Sequence, residues 1–145
     1  MQMELITFEV AGQYFGLDIM AVREIRAWTP TTPLPQVPAY VAGVVNLRGT
    51  VLPVINLAAR LGWKPTEASA RNAIIVAQLA GQISGLIVDA VSDIVTIDTA
   101  ELQAPPSAGA DQINRFVTGL TAINDRMVMV LDLNALAAAD LQEAA

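Results

Sequence analysis

The 145-residue chain has no cysteine and no histidine, and aromatic residues make up only 5% of it. The commonest nucleophiles, general bases and transition-metal ligands are therefore missing, which argues against an enzyme and against a bound metal or cofactor. Carboxylate pairs remain. Asp89 and Asp93 are four apart, a spacing that would align them on a helix, but their surroundings read as strand and turn. Solvated loop acids are the plainer account of both. Charge is also sparse, at 15% of residues against 54% hydrophobic, a balance that argues against a disordered chain. Long apolar runs are absent as well. Ile74–Ala77 and Met127–Leu131 fall far short of the ~20 residues that a membrane-crossing helix needs. The N-terminus shows no basic stretch followed by an apolar run, and Glu4 stands where a signal core would begin. The expectation is a cytoplasmic protein with no direct membrane insertion.

The net charge of −6 is unevenly placed: residues 1–71 carry +1 and residues 72–145 carry −7. Such a surface repels a phosphate backbone, so nucleic acid is not an expected partner. Ordinary solubility charge explains the imbalance simply; the sharper reading is a dipolar molecule that orients between two partners. The stretch Gly43-Val44-Val45-Asn46-Leu47-Arg48-Gly49-Thr50 invites comparison with a phosphate loop. Its glycine spacing is wrong and no lysine precedes Thr50, so that reading fails.

What the chain does contain is itself, twice. Gly12–Ile25 returns 69 residues later as Gly81–Ile94, with seven of fourteen positions identical and Glu24 matched by Asp93. A second echo has an offset of 76, aligning Gly43–Leu57 with Gly119–Leu133 and keeping Val51/Met127, Val54/Val130, Ile55/Leu131 and Leu57/Leu133 in register. Two echoes in the same order point to an internal duplication.

Each copy reads as β-structure. Ile6, Phe8 and Val10 alternate with Thr7 and Glu9, and Ala11-Gly12-Gln13 turns the chain into Tyr14–Leu17. Val44–Leu47 and Val51–Ile55 are apolar and rich in β-branched residues, separated by the tight tip Arg48-Gly49-Thr50; the second copy has Asn124-Asp125-Arg126 there. Pro53 lacks a ladder donor and predicts an edge or a bulge. Pro30, Pro33, Pro35 and Pro38 mark an extended crossing segment, and Pro105–Ala110 marks a loop at the corresponding place. Helix is minor: a turn at Ala58–Leu61 stopped by Gly62, a turn around Ile19–Val22, and an Ala-rich helix over Leu133–Glu143 capped by Asp132 or Asn134. Short strands, tight turns and two copies predict a mainly β protein of two small barrels of about five strands each.

The run Pro35–Leu57 resembles the signature segment of CheW-like domains, with its Val-Pro lead-in, its Gly43-Val44-Val45-Asn46-Leu47-Arg48-Gly49 hairpin and its Pro53-Val54-Ile55-Asn56-Leu57 strand. Val22-Arg23-Glu24-Ile25, Gly85–Val91 and Asp125-Arg126-Met127-Val128 are similar to further motifs of that family. The resemblance spans nearly the whole chain. It implies one domain over residues 1–145, built of two intertwined SH3-like five-stranded barrels that carry the motifs at roughly 12–70 and 81–135, with a short C-terminal helix. It implies a non-catalytic adaptor that couples the cytoplasmic tips of methyl-accepting chemoreceptors to the regulatory domain of the histidine kinase CheA. Carried over in this way, Glu24 and Arg48 are partner-contact positions, with Val22, Gly43, Val44, Gly49, Val91 and Ile94 around them. The residues alone leave alternatives. Arg48 suits a partner's carboxylate or carbonyl, or an internal pair with an acid such as Glu24. Glu24 by itself is a solvated charge, and Val22, Val44 and Val91 are core. An adaptor of a non-flagellar chemosensory array and a small-ligand-binding β-module are the competing functional readings.

Overall fold

The computed structural model describes residues 1–67, 69–79, 81–104 and 115–136. The chain begins with the hairpin β1 (Gln2–Val10) and β2 (Gln13–Asp18), then a 3₁₀ turn (Ile19–Ala21), in which the Asp18 carboxylate accepts from Met20 N, and β3 (Val22–Ala27). The proline segment leads to the hairpin β4 (Val41–Leu47) and β5 (Thr50–Asn56) and to the single helical turn α1 (Leu57–Arg60). The order then repeats: β6 (Ala73–Leu79), β7 (Gln82–Val88), β8 (Ala90–Asp98), a 3₁₀ turn (Thr99–Glu101), β9 (Val117–Ile123), β10 (Arg126–Leu131) and the turn α2 (Leu133–Leu136). Asn56 caps α1 through Ala59 N, and its equivalent Asp132 caps α2 through Asn134 N and Ala135 N. α1 stops as its sequence predicts, with Gly62 N bonded to Ala59 O and Trp63 N to Ala58 O. The expected helix beyond Leu136 and the loop Pro105–Ala110 lie outside the described residues.

The strands form two five-stranded sheets, β8-β1-β2-β10-β9 and β3-β6-β7-β5-β4. Shifting every label by five turns one order into the other. In each sheet the first hairpin of one copy sits among the last three strands of the other. The pairing registers repeat as well. Val54 lies opposite Gly85 in the parallel β5–β7 pair, and Val130 lies opposite Gly16 in β10–β2. Those four residues are related by the 76- and 69-residue offsets. The register shift between Val41/Ile55 and Gly43/Val54 recurs between Val117/Leu131 and Gly119/Val130. Bulges are specific local devices, so their repetition is a strong mark of a shared ancestor segment.

The expectation of closed barrels is wrong: neither sheet closes. Among the described residues the end strands β3 and β4 form no ladder, nor do β8 and β9; each gap is spanned by one isolated bridge, Thr32 with Val44 and Gln103 with Leu120. In the first gap the reason is composition. Thr32 is flanked by Pro30, Pro33 and Pro35, which have no N–H to extend a ladder. The bridge also fixes a glycine. Gly43 has φ +145°, and a Cβ there would collide with the Thr32 carbonyl. Pro53 departs from expectation too, since it lies in the inner strand β5. It is tolerated because Val44, its partner, spends both backbone groups on Thr32, while pairing with β7 starts only at Val54.

Both sheets curl enough to bury two faces. Ile6, Phe8, Val10, Phe15, Leu17, Ile55, Leu57, Ile75, Ala77 and Leu86 belong to one core shared between the sheets. Val45, Leu47, Leu52, Val54, Ile74, Val76 and Ile87 form a second cluster within one sheet, and Leu5, Ile97 and Val130 a third within the other. Strands buried on both faces account for the high apolar content.

Candidate functional site

The site is built on the second sheet, where the edge strand β3 comes near the tip of the β4–β5 hairpin. A two-residue hairpin turn of type I′ requires positive φ at both central positions, and Arg48 (φ 51°) and Gly49 (φ 87°) adopt it, with Asn46 Oδ1 accepting from Gly49 N at 2.9 Å. That turn lifts Arg48 off the surface, leaving its side chain 73% exposed. Across from it, β3 pairs with β6 with Glu24 opposite Val76. Arg48 Nη2 donates to Glu24 Oε1 at 2.9 Å, and Arg26 Nη1 lies 3.8 Å from Glu24 Oε2. The internal pair that the sequence allowed is the arrangement found. Arg23 Nη2 donates to Gln78 Oε1 at 2.6 Å.

Beside the pair opens a concavity of about 550 Å³ lined by Arg23, Glu24, Leu47, Arg48, Thr50, Leu52, Val76 and Ile83. Its floor is apolar and its rim is charged. Two arginines flank one carboxylate and Arg23 lines the same concavity, a local surplus of positive charge on a chain of net −6. An ion pair this exposed is worth about 0–1 kcal/mol, so a partner carboxylate can displace Glu24 from Arg48 at little loss. The other sheet has no such arrangement at the equivalent positions. There Arg48 is replaced by Asn124, the backbone of Asp93 bonds the Thr7 hydroxyl, and Arg126 stacks on the Tyr14 ring at 4.6 Å.

The residues carried over by resemblance do not all converge. Glu24 and Arg48 share the rim, and Gly49 sits beside Arg48 in the hairpin turn. Val44 is half-buried on β4, and Gly43 is buried beneath it against Thr32. Val22 and Val91 are half-buried against the shared core. Val91 and Ile94 lie on β8 in the other sheet, where Ile94 is 57% exposed. They are the equivalents of Val22 and Ile25 at the 69-residue offset. The floor residues Leu52, Val76 and Ile83 were not singled out from sequence. Leu47 and Leu52 flank the turn and were within reach of hairpin reasoning; Val76 and Ile83 arrive through the strand exchange, which no local pattern encodes. Asp89 is structural, its carboxylate accepting from Ala11 N and from the Thr66 hydroxyl at 2.6 Å. Among the described residues no helix is long and apolar enough to cross a membrane.

Two matched sheets bearing an apolar-floored, charge-rimmed concavity define a scaffold that presents a binding surface. The family model for the CheW-like domain matches residues 4–140, and the chain belongs to that family. The chemotaxis protein CheW of Rhizobium meliloti (strain 1021) is 49% identical over 142 residues, 98% of this chain and 92% of that one. The probable chemotaxis protein CheW of Rhizobium etli is 50% identical over the same shares. The crystal structure of the scaffolding protein TtCheW from Thermoanaerobacter tengcongensis superposes with a TM-score of 0.85 at 34% identity, covering 94% of this chain and 88% of that one. The chain is a non-catalytic scaffold of the chemotaxis type.

Proposed function

We propose that this chain, acting as one unit over residues 1–145, couples the cytoplasmic tips of methyl-accepting chemoreceptors to the regulatory domain of CheA. In this reading it works on the cytoplasmic side and is recruited to receptor arrays. The observation that carries the site assignment is the Arg48–Glu24 pair on the rim of an apolar-floored concavity. A receptor helix laid over Leu47, Leu52, Val76 and Ile83 would seat its apolar face in the floor and bring an acidic side chain to Arg48. Val22, Gly43, Val44 and Gly49 then act by shaping and supporting that rim, whereas Val91 and Ile94 mark a second contact surface on the other sheet. The test is capture of the purified chain by a receptor cytoplasmic fragment and, separately, by the CheA regulatory domain. Failure to bind either would refute the coupling role. Binding that survives charge and floor substitutions unchanged would refute the site while leaving the role intact.

A further inference from the structure

Arg60 closes α1 and is buried at 7% exposure. Its guanidinium carbon lies 4.6 Å from the centre of the Tyr40 ring and 4.6 Å from that of Phe116. Nε donates to Leu136 O at 3.1 Å and Nη2 to Ala135 O at 3.2 Å. A buried cation is tolerated only where such contacts replace water, and two ring faces with two carbonyls provide them.

The 76-residue offset relates these groups in pairs. Tyr40 corresponds to Phe116, and their backbones do the same work: Asn56 N donates to Tyr40 O at 2.8 Å and Asp132 N to Phe116 O at 2.7 Å. Arg60 corresponds to Leu136, the residue whose carbonyl it binds. In a twofold arrangement a residue meets its own equivalent only at the axis, as in the self-complementary contact of a symmetric dimer. Arg115 also lies 4.7 Å from the Phe116 ring centre, but it is Arg60 that reaches both equivalent rings. A second arginine at position 136 would set like charges together, whereas Leu136 is fully buried in the shared core.

We infer that Arg60 is an interlock between the two copies. One guanidinium on the duplication axis, held between equivalent aromatic rings, fixes β4–β5–α1 of the first copy against β9–β10–α2 of the second. The hairpin bearing Arg48 is thereby locked in place relative to its counterpart on the other sheet. The cysteine-free sequence makes this directly measurable. Spin labels on Val51→Cys and Met127→Cys, which are equivalent and exposed strand positions, report the distance between the two hairpins. With Arg60 present the distance distribution should be single and narrow. R60M should broaden it at least twofold and speed amide exchange in Leu133–Leu136 at least tenfold, with exchange in β6 and β7 unchanged. A distribution as narrow as the parent's would overturn the inference and leave Arg60 a contributor to stability alone. Should R60M not fold, R60K decides: it keeps the charge between the rings but loses the fork to both carbonyls. A broadened distance supports the interlock, and an unchanged one overturns it.

Discussion

Arg48 Nη2 and Glu24 Oε1 lie 2.9 Å apart, tying a hairpin tip to an edge strand 24 residues earlier in the chain. The contact is on the surface, with Arg48 73% and Glu24 28% exposed at the side chain. It belongs to a class of interaction that sets orientation more than it sets stability.

R48A should therefore separate folding from coupling. Removing an exposed side chain at a turn should change stability by no more than about 0.5–1 kcal/mol. Losing one side of a desolvated charge pair with a partner should weaken binding by about 2–5 kcal/mol. Thermal melting beside titration with a receptor fragment measures both. A large fall in melting temperature with intact binding would make Arg48 a structural residue.

The exchanged pair E24R/R48E tests what the ion pair is for. The attraction between positions 24 and 48 is kept when the charges trade places, although position 24 then repels Arg26, and the double-mutant cycle on stability should close with a coupling of about 0.2–1 kcal/mol. Recognition should not be restored, because the cation now sits on β3 instead of the hairpin tip. Recovery of receptor binding in the double variant would show that the pair is only a brace.

Two glycines named as site residues should behave unlike each other. Gly49 has φ 87° and open space on its Cβ side, with nothing beyond its chain neighbours within 4 Å, so G49A should cost about 1–2 kcal/mol of left-handed strain. At Gly43 the strain at φ 145° is joined by collision with the Thr32 carbonyl, and G43A should cost about 3 kcal/mol. Denaturant titration ranks them. Equal losses would mean that the Thr32 segment yields easily and is not a fixed bridge.

The repeats explain which parts of this molecule could be read in advance. Hairpin tips, strand runs, the Gly62 stop and the Asp132 cap are local, and each is set by a few adjacent residues. Sheet membership is not local. Nothing in Gln13–Asp18 announces that it will pair in parallel with Arg126–Leu131, so the strand exchange, and with it the floor formed by Val76 and Ile83, stayed hidden. Closure of the sheet that holds β3 and β4 failed for a reason that was visible: the prolines around Thr32 that marked a crossing segment also deny the donors that closure needs. Arg48 and Glu24 were each legible as charges near a turn and a strand. That they meet depends on β3 and β4 being opposite ends of one sheet.

Duplication also leaves a mark in the core that yields the last prediction. Phe8 and Phe15 stack with ring centres 6.0 Å apart, and Phe15 meets Trp63 at 5.9 Å. Their equivalents at the 69-residue offset are Ala77 and Ser84, which pair across β6 and β7. The shared core thus takes two large rings from one sheet and two small residues from the other. Ser84 is fully buried on the face of β7 that carries Leu86, and its Oγ has no hydrogen-bond partner among the described residues. An unmet buried hydroxyl costs about 1–3 kcal/mol, so S84A, which keeps the small volume, should gain about 1 kcal/mol and raise the melting temperature by roughly 3 °C. S84F, which would make the two copies alike, should instead lose about 1–3 kcal/mol, because the space is already filled. Calorimetry on both variants decides the matter. A lower melting temperature for S84A would mean that the hydroxyl holds a buried water and that the small pair is kept for its polarity, not its size.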